Sequence, residues 1–147
     1  MNKQQLETAM ENAVLARFPN SYAKTSQLAL GDRGFCIRFA LGKDKGEWSN
    51  GIFQNDPMST TICIHGSDSG DGYDFEFRPA FSHIKPDNPH HFCKSEYLRS
   101  ASVKNGDAKK VLAVFEKQLD KLKVLYVSLL DQDKFLKFEL FDPRSKI

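Results

Sequence analysis

The sequence predicts an α+β fold: an N-terminal helix, a mainly antiparallel sheet of four to six strands, a long C-terminal helix packed on one face, and a final strand as a further element. Three observations carry this expectation. Apolar residues recur at helical spacing at the N-terminus, segments of alternating polarity are separated by Gly- and Asp-rich turns in the first half, and a long apolar stripe runs through DAKKVLAVFEKQLDKLKVLYVSLL near the end.

In NKQQLETAMENAVLARF, residues Leu6, Ala9, Met10, Ala13, Val14 and Phe18 fall at mostly three- and four-residue steps, which places them on one helical face. Pro19 and Asn20 end that helix. YAKTSQLAL and GFCIRFAL follow, separated by Gly31-Asp32-Arg33-Gly34, a hairpin turn in which glycine supplies positive φ. The register expected from apolar matching sets Leu28 and Leu30 against Ile37 and Phe35, and Gln27 and Ala29 against Arg38 and Cys36.

Residues 42 to 58 are rich in Gly, Asn and Asp and read as an excursion with a short strand at Glu47 to Phe53. STTICIHG and YDFEFRP then form a second hairpin. Alternation makes Ile62, Ile64, Tyr73, Phe75 and Phe77 one apolar set, so Cys63 and His65 share the opposite face with Asp74, Glu76 and Arg78. His65 then lies across from Asp74, and Cys63 from Glu76, with Gly66 to Tyr73 as the connection.

From Pro79 to Gly106 no period is evident, and a short helix is expected at Lys94 to Ser100. The stripe Val111, Leu112, Phe115, Leu119, Leu122, Tyr126 and Leu129 defines the long helix, with Asp107 as its N-cap. KFLKFELF alternates as a last strand.

The totals describe a folded protein of one domain, residues 1–147: 40% apolar, 27% charged, with 21 basic against 19 acidic side chains. A formal charge of +2 does not mark a nucleic-acid binder, although a basic bias runs from Lys85 to Lys110. Three widely spaced cysteines and an N-terminus without an apolar stretch point to a cytoplasmic protein with reduced thiols. VLYVSLL is far short of the ~20 residues of a membrane span.

SDSGDG looks like a ligand loop but fails as one. Asp68, Gly70 and Gly72 stand at the alternate positions where a calcium loop needs acidic or amide side chains before its glycine. No Lys-Ser/Thr pair follows, as a phosphate loop requires, so the glycines and aspartates are read as turn chemistry. Cys63, His65, His83, His90, His91 and Cys93 could assemble four zinc ligands, yet they lack close knuckle spacing. The expectation is therefore no metal and no cofactor, with Cys63 packed, His65 hydrogen-bonded to Asp74, and His90 and His91 exposed.

The element order resembles the restriction-endonuclease-like PD-(D/E)XK family. The nearest match to its motif is Asp56 followed by Glu76-Phe77-Arg78, with Asp56-Pro57 in reversed order and Arg78 where that family has Lys. The resemblance implies magnesium-dependent phosphodiester cleavage centred on Glu76.

The preferred expectation is a small non-catalytic protein that binds a macromolecule stoichiometrically, of the inhibitor, immunity or chaperone type, such as a phage or mobile-element accessory protein. Its expected partner is a protein, with nucleic acid as the alternative and a homodimer compatible with the sequence. A nucleic-acid binder would use Phe92 and Tyr97 with the basic bias. The candidate binding residues are Trp48 and Phe53, as aromatic anchors in the excursion, and Arg38, His65, Asp74, Glu76 and Arg78 on the second face of the sheet. Lys109, Lys110, Lys117 and Lys121 form a basic helix edge read as a solvated face.

Overall fold

The computed structural model describes residues 1–19, 21–26, 33–40, 48–49, 52–53, 60–68, 70–84, 92–132 and 142–144. Helix α1 spans Lys3–Arg17. Its start is a capping box, in which the Asn2 side chain accepts from the Gln5 backbone N–H while the Gln5 side chain accepts from the Asn2 N–H. Leu6, Met10, Ala13 and Val14 are buried along one face, and Phe18 at the C-cap is buried with them.

The strands are β1 (Tyr22–Ser26), β2 (Phe35–Ala40), β3 (Trp48–Ser49), β4 (Ile52–Phe53), β5 (Thr60–Gly66), β6 (Tyr73–Phe77), β7 (Ala80–Ile84), β8 (Phe92–Tyr97) and β9 (Ala101–Gly106). Five of them form one antiparallel sheet in the order β1-β2-β5-β6-β9, a meander with two separate two-stranded hairpins, β3-β4 and β7-β8, inserted in it. Helix α2 (Ala108–Asp131) closes the α+β layer, its N-terminus capped by the Asp107 side chain, which accepts from the Lys110 N–H at 2.8 Å.

Both helices lie on one face of the sheet, α1 against β1 and β2, α2 against β6 and β9, and the two against each other. The core between the layers gathers Phe35, Ile37, Phe39, Ile62, Ile64, Phe75, Phe77 and Val103 from the strands, with Val111, Phe115, Leu119, Leu122, Tyr126 and Leu129 from α2. Aromatic edges fit aromatic faces at its centre. Phe115 meets Phe75 at 6.0 Å and Phe77 at 5.7 Å between ring centroids, and Phe18 meets Tyr126 at 5.8 Å. On the surface the helices are tied by Arg17, whose Nε donates to Asp120 at 2.7 Å and whose guanidinium lies 3.6 Å from Glu116. No helix among the described residues is long and apolar enough to cross a membrane.

Four expectations are corrected. The first hairpin pairs Thr25 with Ile37, Lys24 with Arg38 and Ser26 with Cys36, not Leu28, Gln27 and Ala29. An offset of three residues turns β1 over. The short connection from Phe18 to Tyr22, with the Ser21 N–H and Oγ both donating to the Phe18 carbonyl, fixes where β1 begins. The Thr25 N–H then reaches the Glu11 carboxylate of α1, so the helix satisfies an edge-strand donor.

The single strand expected over Glu47–Phe53 is two strands, with Trp48 opposite Phe53. The helix expected at Lys94–Ser100 is instead β8, paired to β7. Residues 79–106, read as irregular, also supply β9, the edge strand beside β6. The final KFLKFELF strand lies outside the described residues.

Candidate binding face of the sheet

Alternation gives the sheet a second, outer face. Phe35, Ile37 and Phe39 point into the core, so Cys36 and Arg38 point away from it. The same holds for Cys63 and His65 on β5 and for Asp74 and Glu76 on β6. The register expected for β5 and β6 is found, with His65 opposite Asp74 and Ile64 opposite Phe75. Carried one step further it sets Cys63 across from Glu76, and on the far side Glu76 pairs with Ser102 of β9. A row therefore crosses four strands: Cys36, Cys63, Glu76, Ser102.

The candidate residues fall into two groups. His65 and Glu76 are exposed and Asp74 half-buried on the neighbouring strands β5 and β6, exposed Arg78 follows directly after β6, and half-buried Arg38 is paired in register with Lys24 on one side and Thr61 on the other. Trp48 and Phe53 are brought together with each other, in a two-stranded sheet of their own. Asp56, His90 and His91 lie outside the described residues. Among the described residues no three His, Cys, Asp or Glu side chains converge as a metal site would require.

The SDSGDG connection is held by residues the sequence reading did not single out. Ser67 N–H donates to the Gly72 carbonyl at 2.9 Å, closing the turn. The Arg33 guanidinium then donates to the carbonyls of Ser67, Gly70 and Gly72 at 3.3, 3.2 and 2.9 Å, so one cation gathers three carbonyls of the turn.

From the other side, Asn105 reaches in. Lys104 and Asn105 together face the single residue Asp74, a bulge between β6 and β9 that sets Asn105 at φ 48°. Asn tolerates this left-handed conformation better than most residues. Its Oδ1 accepts from the Gly72 N–H at 2.9 Å, and its own N–H donates to Asp74 Oδ1 at 2.9 Å. Asp74, which the sequence set beside His65, thus also holds the bulge of β9. A Cβ on Gly72 would sit 2.5 Å from the Asn105 carbonyl carbon, which explains that glycine. The loop is thus a turn locked from two sides.

Glu76 is anchored through a chain of contacts that begins in the helix layer. Gln118, 3% exposed, stands on the buried stripe of α2. Its Nε2 donates to the Arg99 carbonyl at 2.6 Å and lies 3.5 Å from the Phe77 carbonyl. Leu98 N–H donates to the Pro79 carbonyl at 3.0 Å, and Ser100 Oγ to Glu76 Oε1 at 3.1 Å. The β8-β9 connection is thereby fixed between α2 and the outer face. A polar residue in an otherwise apolar helical stripe is the signal that could have found Gln118.

The outer face can offer charges of both signs on rigid strands, and two thiols at its centre. Compared with protein families, curated proteins and solved structures, the chain matches none of them.

Proposed function

We propose that the protein is a non-catalytic binding protein that acts in the cytoplasm by stoichiometric association with a protein partner, in the manner of an inhibitor, an immunity protein or a chaperone. The observation that carries this reading is the outer face of the sheet. Exposed His65, Glu76 and Lys104 stand beside half-buried Arg38 and Asp74 on hydrogen-bonded strands, exposed Arg78 follows directly after β6, and both helices pack on the other side. Paired strands hold the backbone in place, so docking a partner has only side chains left to order. Their alternating signs give register and specificity more than raw affinity. The Trp48/Phe53 hairpin adds two aromatic side chains of the kind that anchor interfaces.

The test starts with the tagged protein as bait in nuclease-treated lysate of its source cell, and continues with binding measurements on the recovered partner. The expected result is one protein at near-equal stoichiometry, whose affinity falls by roughly tenfold or more with Glu76→Arg or Arg78→Glu. Because these side chains are exposed, Tm should stay near that of the parent. Unchanged affinity in both reversals, and on replacing Trp48, Phe53 or Arg38, refutes this choice of surface. Recovery that disappears with nuclease treatment replaces the protein partner with nucleic acid. Magnesium-dependent cleavage lost in Glu76→Ala would make the protein an enzyme instead.

A further inference from the structure

We propose that Cys36 and Cys63 form a reversible thiol–disulfide pair, a modification site at the centre of the outer face that takes a small-molecule disulfide as its oxidant. The two residues are direct cross-strand partners on β2 and β5. Opposed Cα atoms on adjacent antiparallel strands are about 4.5–5.5 Å apart, and disulfides span Cα separations of about 4.4–6.8 Å. The pairing therefore places the two cysteines within the separation that a disulfide spans. The pairing sets the two thiols side by side on one face, close enough for Cys63 to help raise the Cys36 pKa. Neither packs with the core under the helices, which takes their neighbours Phe35, Ile37, Ile62 and Ile64. That separates them from the ordinary buried cysteine that fills a core as a small hydrophobe.

Their access differs, and this sets an order of events. Cys63 is half-buried and open to reagents, whereas Cys36 is 2% exposed. Burial and the hydrogen bond to Cys63 push the Cys36 pKa up to about 12, against the opposing pull of Arg38. The Cys63 thiolate attacks one sulfur of the small disulfide. That S–S bond breaks, and one small thiolate departs with the electron pair and takes up a proton. Cys36 then gives its proton to solvent base and attacks Cys63 Sγ in the mixed disulfide, expelling the second small thiol. One small disulfide is reduced to two thiols, while two protein thiols are oxidised to one disulfide. The closing step is intramolecular, so proximity offsets the small thiolate fraction of a buried cysteine. The bridge joins β2 to β5 two residues from Arg38, toward the end of their pairing away from the segment that carries β3 and β4. The site stands whether or not the face binds a partner.

The test exposes the full-length protein to oxidised glutathione, followed by alkylation and intact-mass measurement. Digestion with trypsin and a Glu-specific protease, which cuts after Glu76, then separates Cys63 from Cys93. The expected result is the loss of two hydrogens per chain and a linked peptide pair joining Cys36 to Cys63, both reversed by dithiothreitol and retained in Cys93→Ser. In Cys36→Ser, glutathione should remain attached at Cys63, and in Cys63→Ser the folded protein should carry no adduct at Cys36. A bridge through Cys93, a persistent adduct on Cys63 in the unmodified sequence, or no change of mass would overturn the proposal.

Discussion

Replacing Gln118 tests whether the outer face is braced by the helix layer. The amide is 3% exposed and donates to the Arg99 carbonyl at 2.6 Å. A neutral hydrogen bond contributes about 1 kcal/mol net, and a carbonyl left unpaired away from water costs about 1–3 kcal/mol. Leucine at 118 recovers part of this by burying apolar surface, so Gln118→Leu should cost about 1–2 kcal/mol. For a domain of this size that is a fall in Tm of roughly 2–8 °C. Gln118→Met, close in size, should lose a similar amount, which separates the hydrogen bond from packing.

Gln118→Glu gives a sharper readout. At neutral pH a carboxylate would face the carbonyl oxygens of Arg99 and Phe77 and lose solvation, at a cost on the order of 3 kcal/mol. Both effects raise its folded pKa above the ~4.3 of an unfolded Glu. The folded state then binds more protons than the unfolded one between those two values, so stability falls as pH rises through that window. Below it the protonated acid can donate to the Arg99 carbonyl, and the difference from the parent narrows. Urea unfolding of parent and variant at pH 4 and pH 7 measures this difference. A Gln118→Leu Tm within about 1 °C of the parent, or a Gln118→Glu penalty that does not grow with pH, refutes the bracing argument.

Three further outcomes follow from the locked turn and from the C-terminal contacts. Gly72→Ala should destabilise the fold by about 1–3 kcal/mol in urea, because the new Cβ meets Asn105 backbone rather than a side chain that can swing away. Asn105→Ala should cost more than Asn105→Gly, since both lose the bond to the Gly72 N–H but only alanine keeps the penalty of a positive φ; equal losses would remove the conformational part. The Arg144 hydrogen bond holds the Asp142 carboxyl below its ordinary pKa. Its small stabilisation is present above the ordinary value and is lost as pH falls through the lowered one. Arg144→Ala should move the Asp142 titration, followed by carboxyl NMR, upward but only part of the way, because the backbone N–H of residue 144 still donates to the carboxylate.

What was legible in the sequence was whatever a single element's own pattern fixes. The α2 stripe from Val111 to Leu129 and the Asp107 cap needed no partner to be read. The pairing of His65 with Asp74 was readable because Ile64 and Phe75 must share a buried face and the strands are joined by a short loop. Strands defined by their neighbours were not. ASVKNG carries one buried branched residue, Val103, and several poor strand formers, and it is a strand because β6 pairs with it. The β1-β2 register failed for the opposite reason. Local apolar matching favoured Leu28 and Leu30, whereas the short link from α1 set where β1 starts.

The candidate face divides along the same line. Its charged residues could be named from alternation within a strand, but Cys36 and Cys63 are neighbours only because β5 pairs with β2 across the residues between Ala40 and Thr60. Alternation had already put both thiols on the polar side of their strands, and there the sequence paired Cys63 with Glu76 alone. A half-exposed thiol with a buried one beside it follows from adding that second neighbour. The chemistry that distinguishes this face is therefore a property of the sheet order rather than of any one strand, and sheet order is the part of an antiparallel fold that a long insertion hides.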